Sequence, residues 1–168
     1  MSLTKETFNP RESKSLKDSH SSEKTTMTIH QLSVFLENTS GTLVEVLRTL
    51  KSARVQLIAT TIADTAEYGI LRIICAEPLR ACEALKQAGF AVAVSDVFAL
   101  RLENHPGSAS DAVEFISKAG LSITYIYTFL YRDEGILIFR TDNPDLARKT
   151  IISNDLPLIS EAEFEQWR

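Results

Sequence analysis

The chain has 168 residues, 44% of them hydrophobic and 24% charged, an ordinary globular composition with room for one medium domain or two small ones. Its formal net charge of −4 argues against the clustered Lys and Arg surface on which nucleic-acid binding depends. No apolar run approaches the ~20 residues of a bilayer span, and the N-terminus lacks the apolar stretch of a signal peptide. The expected setting is therefore cytoplasmic, with neither nucleic acid nor membrane as partner. Cys75 and Cys82 fit that compartment: they are seven apart, which is no Cys-x-x-Cys spacing, and read as buried structural thiols.

Residues 1–26 are rich in Ser, Thr, Lys and Glu, with almost nothing apolar beyond Leu3, Phe8 and Leu16. Such a segment cannot bury enough surface to offset its ordering entropy, so a disordered tail is expected, with His20 solvated in it. From Thr28 a strand pattern begins, with Ile29, Leu32, Val34 and Leu36 among its apolar positions. The polar turn Asn38-Thr39-Ser40-Gly41 follows. Leu43, Val46, Leu47 and Leu50 then recur at i, i+3, i+4 and i+7, one face of a helix. Two strands, Val55 to Ala63 and Ile70 to Cys75, joined by the polar residues 64–69, read as an antiparallel hairpin. A second helix opens at Glu77-Pro78 and closes at Gly89, where proline and glycine are each favoured. Phe90 to Val94 is the last strand of the unit. The order β-α-β-β-α-β is the split, ferredoxin-like arrangement.

The same unit is then written again at an offset of 66 residues. Leu36-Glu37-Asn38 meets Leu102-Glu103-Asn104, Gly41 meets Gly107, and Ala53 meets Ala119. Gly69-Ile70-Leu71 meets Gly135-Ile136-Leu137, Pro78 meets Pro144, and Ala81 meets Ala147. These matches fall on turns, helix starts and small packing positions, where backbone geometry is most demanding. The second copy has Ala109, Ala112, Val113 and Ile116 on its first helix. Ile123 to Tyr131 and Ile136 to Arg140 form its hairpin, Pro144 to Ser153 its second helix, and Leu156 to Ser160 its last strand. The fold class is α+β: two ferredoxin-like units, 27–95 and 96–168, with antiparallel sheets and helices on one face. Past Ser160, either Phe164 or Trp167 packs on a neighbouring surface or the end frays.

One feature has no counterpart in the first copy. Tyr125, Tyr127, Phe129 and Tyr131 alternate onto one strand face, where the first copy has Ala59, Thr61, Ala63 and Thr65. An aromatic row can stack RNA bases, but the accompanying basic residues and the usual aromatic strand motif are missing. The other reading is an aromatic surface buried against the other repeat or a second subunit, and on it a homodimer is expected.

Each strand-to-helix turn leaves free N–H groups at a helix start, where the dipole favours an anionic group such as a carboxylate. Asn38 and Asn104 carry both donors and acceptors; they either touch a ligand or cap the turn. Gly41 and Gly107 permit close approach and positive φ. His105 reads as a turn residue. No nucleophile with a base beside it, no metal-ligand spacing and no phosphate loop is present, so neither an enzyme nor a cofactor is expected.

The tandem units and the turns Glu37-Asn38-Thr39-Ser40-Gly41-Thr42-Leu43 and Glu103-Asn104-His105-Pro106-Gly107 resemble the ACT domain, a small-molecule regulatory module of amino-acid metabolism. The second turn has the family's Asn-x-Pro-Gly form; Ser40 replaces proline in the first. The resemblance implies two ACT units side by side, their sheets joined into one of eight strands, with an amino-acid effector at a domain interface. In serine-binding members similar in this turn, the effector is held by the turn and by a polar residue early in the second strand. By resemblance the ligand-binding residues are Asn38, Thr39, Ser40, Gly41, Thr42, Gln56 and Leu57 in the first copy. In the second they are Asn104, His105, Pro106, Gly107, Ser108, Ser122 and Ile123. A histidine that contacts serine in those members falls on Leu36 and Leu102, which points to a more apolar effector. The expected function is a stand-alone amino-acid-binding regulator. The alternatives are a regulatory subunit or interaction module that serves a separate metabolic enzyme without binding a ligand, and, less favoured, an RNA-binding domain.

Overall fold

The computed structural model describes residues 27–64 and 68–167; the expectations for the tail at 1–26 and for hairpin residues 65–67 lie outside the described residues. The first copy comprises β1 (Ile29–Glu37), α1 (Thr42–Ser52), β2 (Leu57–Asp64), β3 (Tyr68–Cys75) and α2 (Pro78–Gln87), and leads into β4 (Ala91–Leu102). The second continues with α3 (Ser108–Lys118), β5 (Ile123–Tyr131), β6 (Glu134–Thr141) and α4 (Pro144–Ser153), and a short α5 (Glu161–Glu165) follows. Pro78 and Pro144 open their helices as their missing N–H allows. Among the described residues no helix is long and apolar enough to cross a membrane.

The strands form one antiparallel sheet in the order β2-β3-β1-β4-β6-β5. Its centre is β4, a single 12-residue strand that belongs to both copies. Ala91 to Val97 pair with β1, and Phe98 to Leu102 pair with β6. The eight strands implied by the family resemblance are therefore six. The last strand of one unit is continuous with the first of the next, and the expected strand Leu156 to Ser160 contributes only the bridge Leu158–Leu100. Pro157 lacks an N–H to extend a ladder, although its carbonyl accepts from Arg101 N at 2.8 Å, while Ile159 N donates to Ala99 O at 2.9 Å.

Alternation along β4 places both helical layers on the same side. Val92 packs with Val46, Leu50, Leu85 and the other apolar residues under α1 and α2. Phe98 and Leu100 pack with Ile116, Phe139 and Ile151 under α3 and α4, and the Phe98 and Phe139 rings stack at 5.3 Å. Both thiols are free and buried in the first of these cores, and burial pushes Cys75 up to about 11. The helical stripe of α1 is narrower than its periodicity suggests: Val46 and Leu50 are buried, whereas Leu43 and Leu47 are exposed. They lie on a flank of the helix that nothing among the described residues covers.

A third core fills the other side of the sheet, where the two copies face each other. Ile29, Ile74, Val97, Ala99, Ile136 and Ile138 form it, and Tyr125, Tyr127, Phe129 and Tyr131 pack against it half-buried. Gln31, fully buried on β1, donates to Tyr125 Oη at 2.8 Å and accepts from Tyr127 Oη at 3.0 Å. Arg72 of β3 lies 4.0 Å from the Tyr125 ring centroid. The aromatic row thus sits inside the chain, against the other repeat. That placement removes the open face on which base stacking depends, and it removes the row as the basis for a homodimer.

The C-terminal segment closes this core. Phe164 and Trp167 are 2% and 8% exposed, and Trp167 stacks on Tyr131 with centroids 3.9 Å apart. Two polar anchors hold the segment. His30 N donates to Glu161 Oε2 at 2.6 Å, and the Arg101 guanidinium joins Glu163 to Glu134. Burial raises the Glu161 carboxyl above its usual range against the pull of His30. Phe164→Ala is expected to cost about 3–5 kcal/mol, a large-to-small change at a fully buried site. Urea unfolding followed by Trp167 fluorescence measures it, and a loss under about 1 kcal/mol would show that the segment is not part of the core.

Candidate functional site

The two turns are built alike. Thr39 N donates to Glu37 O at 2.8 Å and His105 N to Glu103 O at 2.9 Å; Thr42 N to Thr39 O and Ser108 N to His105 O are both 3.4 Å. The N-cap positions are Gly41 and Gly107, at φ 99° and 98°, and neither helix has a side-chain cap. Asn38 and Asn104 therefore do not serve as the N-caps of these helices. A Cβ at either glycine would meet nothing within 4 Å, so the conformation rather than space demands glycine there.

Beside each turn, on the side facing the start of that repeat's last segment, lies a cleft. The first, about 610 Å³, is lined by Phe35, Leu36, Glu37, Thr39, Ser40, Thr42, Glu45, Tyr68, Gly89, Phe90 and Ala91. The second, about 280 Å³, is lined by Leu100, Arg101, Leu102, Glu103, His105, Ser108, Asp111, Ala112, Phe115, Leu156 and Pro157. Eight lining positions correspond at the repeat offset: Phe35 with Arg101, Leu36 with Leu102, Glu37 with Glu103, Thr39 with His105, Thr42 with Ser108, Glu45 with Asp111, Phe90 with Leu156 and Ala91 with Pro157. The duplication has kept the cleft and changed its walls.

Both clefts are more acidic than a bare helix start. Glu45 and Asp111 stand in the first turn of their helices, where they complement the dipole. In the second cleft, His105 Nε2 lies 3.2 Å from Glu103 Oε2 and its Nδ1 lies 3.0 Å from Pro106 O. The Pro106 carbonyl first, then the Glu103 and Asp111 carboxylates, hold the imidazole pKa above the ordinary histidine value. Arg101 is occupied by Glu134 and Glu163, which outweigh the cost of its partial burial and raise its pKa.

Of the residues expected from sequence, Thr39, Ser40 and Thr42 line the first cleft, and His105 and Ser108 the second. Asn38, Gly41, Asn104, Pro106 and Gly107 are exposed at the turns, outside both linings. Gln56 and Leu57 line a separate cleft of about 570 Å³ with Leu47, Lys51 and Arg54, at the far end of the 11-residue α1, roughly 16 Å of helix from the first turn. Ser122 and Ile123 have the same relation to the second turn, Ser122 exposed and Ile123 packed on the α3–α4 core. One chain does not bring a turn and its strand residue together. At the seam between its two repeats it has instead a polar cleft of about 680 Å³, with Thr28, Asp96, Thr124, Arg140 and Arg148 in its wall and none of the expected residues. Sequence reasoning missed the acidic and apolar lining, although the Glu45–Asp111 and Phe90–Leu156 correspondences at the repeat offset carry the signal. Among the described residues no group of three or more His, Cys, Asp or Glu is placed to hold a metal.

A family model for the ACT domain pair matches residues 27–167. The crystal structure of protein BT0572 from Bacteroides thetaiotaomicron is 34% identical, covers 84% of this chain and 99% of its own, and superposes with a TM-score of 0.79. The regulatory subunits of aspartate kinase from Thermus thermophilus and Thermus flavus share the fold. They are 11% and 12% identical, cover 76% and 75% of this chain and 93% and 92% of their own, and give TM-scores of 0.55 and 0.52. No curated protein sequence matches the chain.

Two outcomes follow from the turn geometry. Gly107→Ala is expected to destabilise the protein by roughly 1–2 kcal/mol, because alanine resists positive φ even in open space; denaturant unfolding reads the loss. The His105 imidazole is expected to titrate above ~6.5. Its contribution to stability is complete below the unfolded value and fades as pH rises through the folded one. An NMR titration of its ring protons checks this, with Glu103→Gln bringing the midpoint down; a midpoint at or below the ordinary value rejects the assignment.

Proposed function

The chain belongs to the ACT domain pair family, and on that premise we propose that it is a stand-alone regulatory protein that binds a small amino-acid effector at its duplicated turns. ACT domain pairs are regulatory modules, and the observation that carries the proposal for this chain is the cleft repeated beside each turn, at corresponding residues, with helix-start N–H groups and a carboxylate on its rim. An α-amino acid presents both charges at once. Its carboxylate suits the positive end of a helix dipole and its ammonium suits Glu37 and Glu45, or Glu103 and Asp111.

Gln56 and Ser122 enter the site only through a second copy, since each stands a helix length from its own turn. Pairing along the edge strands β2 and β5 supports such a homodimer. Neither edge carries a charged residue except Asp64 at the end of β2, and Ile62, Ile126 and Leu130 on them are exposed. Natural edges that stay unpaired are usually broken by charges or proline. The regulatory role in amino-acid metabolism and a cytoplasmic setting belong to the same proposal, with no catalytic step assigned to the chain.

A second reading, an interaction module for a separate metabolic enzyme, draws on the exposed apolar flank Leu43, Val44 and Leu47 of α1. Isothermal titration of the folded protein against the twenty amino acids separates the two. Binding tighter than about 1 mM is expected, weakened at least roughly tenfold in Asn104→Ala and Gln56→Ala while light scattering still reports a dimer. If no amino acid binds, the effector reading falls and the interaction module stands; if only monomer is seen at high concentration, the shared pocket falls.

A further inference from the structure

The two clefts are not equivalent, and the difference identifies a ligand class. The second is less than half the volume of the first and its floor is Leu100, Leu102, Phe115 and Leu156, with Ala112 and Pro157 beside them. About 280 Å³ corresponds to roughly nine waters, and waters over an apolar floor gain by being displaced. The polar groups stand on one rim: Glu103, His105, Ser108 and Asp111, with the guanidinium of Arg101 held by Glu134 and Glu163. The corresponding rim of the first cleft has Glu37 and Glu45 and no cationic residue.

We propose that the second cleft is the effector site and that it selects a neutral α-amino acid with an aliphatic side chain. This deepens the reading of the chain as an amino-acid binder and rests on it. The side chain lies on Leu100, Leu102, Phe115 and Leu156. The ammonium faces the Glu103 and Asp111 carboxylates, and the carboxylate faces the first N–H groups of α3, beside the His105 ring whose nitrogens are engaged by Glu103 and the Pro106 carbonyl. A polar side chain on that floor would lose water without finding a partner, and a cationic or anionic one would bring an unpaired charge into it. The first cleft shares the helix start but is wider, and no cationic residue lines it.

Calorimetry with L-leucine, L-isoleucine, L-serine and L-lysine tests this, with isopentylamine and 4-methylpentanoate as probes lacking one pole each. The expected result is one site per chain for leucine or isoleucine, preferred over serine and lysine by roughly tenfold or more, with both single-pole probes weaker. Ala112→Phe, which fills the cleft, abolishes that binding. His105→Gln, a change at an exposed turn that leaves the core untouched, weakens it by roughly tenfold. Serine or lysine binding as tightly as leucine, or leucine affinity unchanged in both variants, overturns this inference and leaves the broader reading intact. Failure of all twenty amino acids to bind the folded protein overturns both.

Discussion

The shared strand β4 is the constraint from which the rest of the structure follows. Its first seven residues complete the sheet of one repeat and its last five begin the sheet of the next, the strand running on from Val97 to Phe98 while its partner changes from β1 to β6. A strand sends alternate side chains to opposite faces, so a continuous β4 forces both pairs of helices onto one side. Val92, Phe98 and Leu100 lie on that side, and Val97 and Ala99 on the other. Both repeats then have an uncovered sheet face pointing the same way, and a twisted sheet can satisfy both by folding one over the other. The aromatic row of β5 is the answer to that problem, which explains why only the second copy has it.

The inner core also carries the polar groups that fix how the two faces meet. Gln31 is buried on a strand and would be costly alone, yet its amide oxygen accepts from Tyr127 and its nitrogen donates to Tyr125. Burial drives the Tyr127 phenol pKa far up, so that hydroxyl remains a donor throughout the range in which proteins stay folded. A hydrophobic interface alone tolerates sliding by one residue pair; a Gln with both ends bonded to two tyrosines of one strand does not. Trp167 and Phe164 then cover the open end, held by the His30 backbone N–H and the Arg101 guanidinium, one in each repeat.

Much of this was legible in the residues because the repeat supplies each element twice. The helix Pro144 to Ser153 and the strand Ile123 to Tyr131 were read to the residue, since proline, periodicity and β-branched content agree there. The fused strand was not legible. Val94-Ser95-Asp96 looks like a polar join, and only the pairing partners on the two sides show that the backbone passes straight through it. Leu43 and Leu47 misled for a related reason: helical periodicity marks a face, not whether another element exists to cover it. The site was half legible. Turn residues announce themselves by Asn and Gly, whereas Leu100, Phe115 and Leu156 look like any core residues until the tertiary structure leaves a space between them.

The same strand limits how a bound effector can act. A ligand shifts an equilibrium only by its differential affinity for two arrangements, so regulation needs something that has two arrangements. Rotation of one repeat against the other would bend β4 where its partner changes, between Val97 and Phe98, and break the Gln31 bonds to β5, which leaves the intrachain interface a poor candidate for the moving part. The edges β2 and β5 and the flank of α1 beside Leu43 and Leu47 are different: among the described elements nothing in the chain covers them. Under the proposed function, an effector beside the turn reports through contacts made at those edges. The chain then works as a rigid body whose association, rather than whose internal shape, is what the ligand changes.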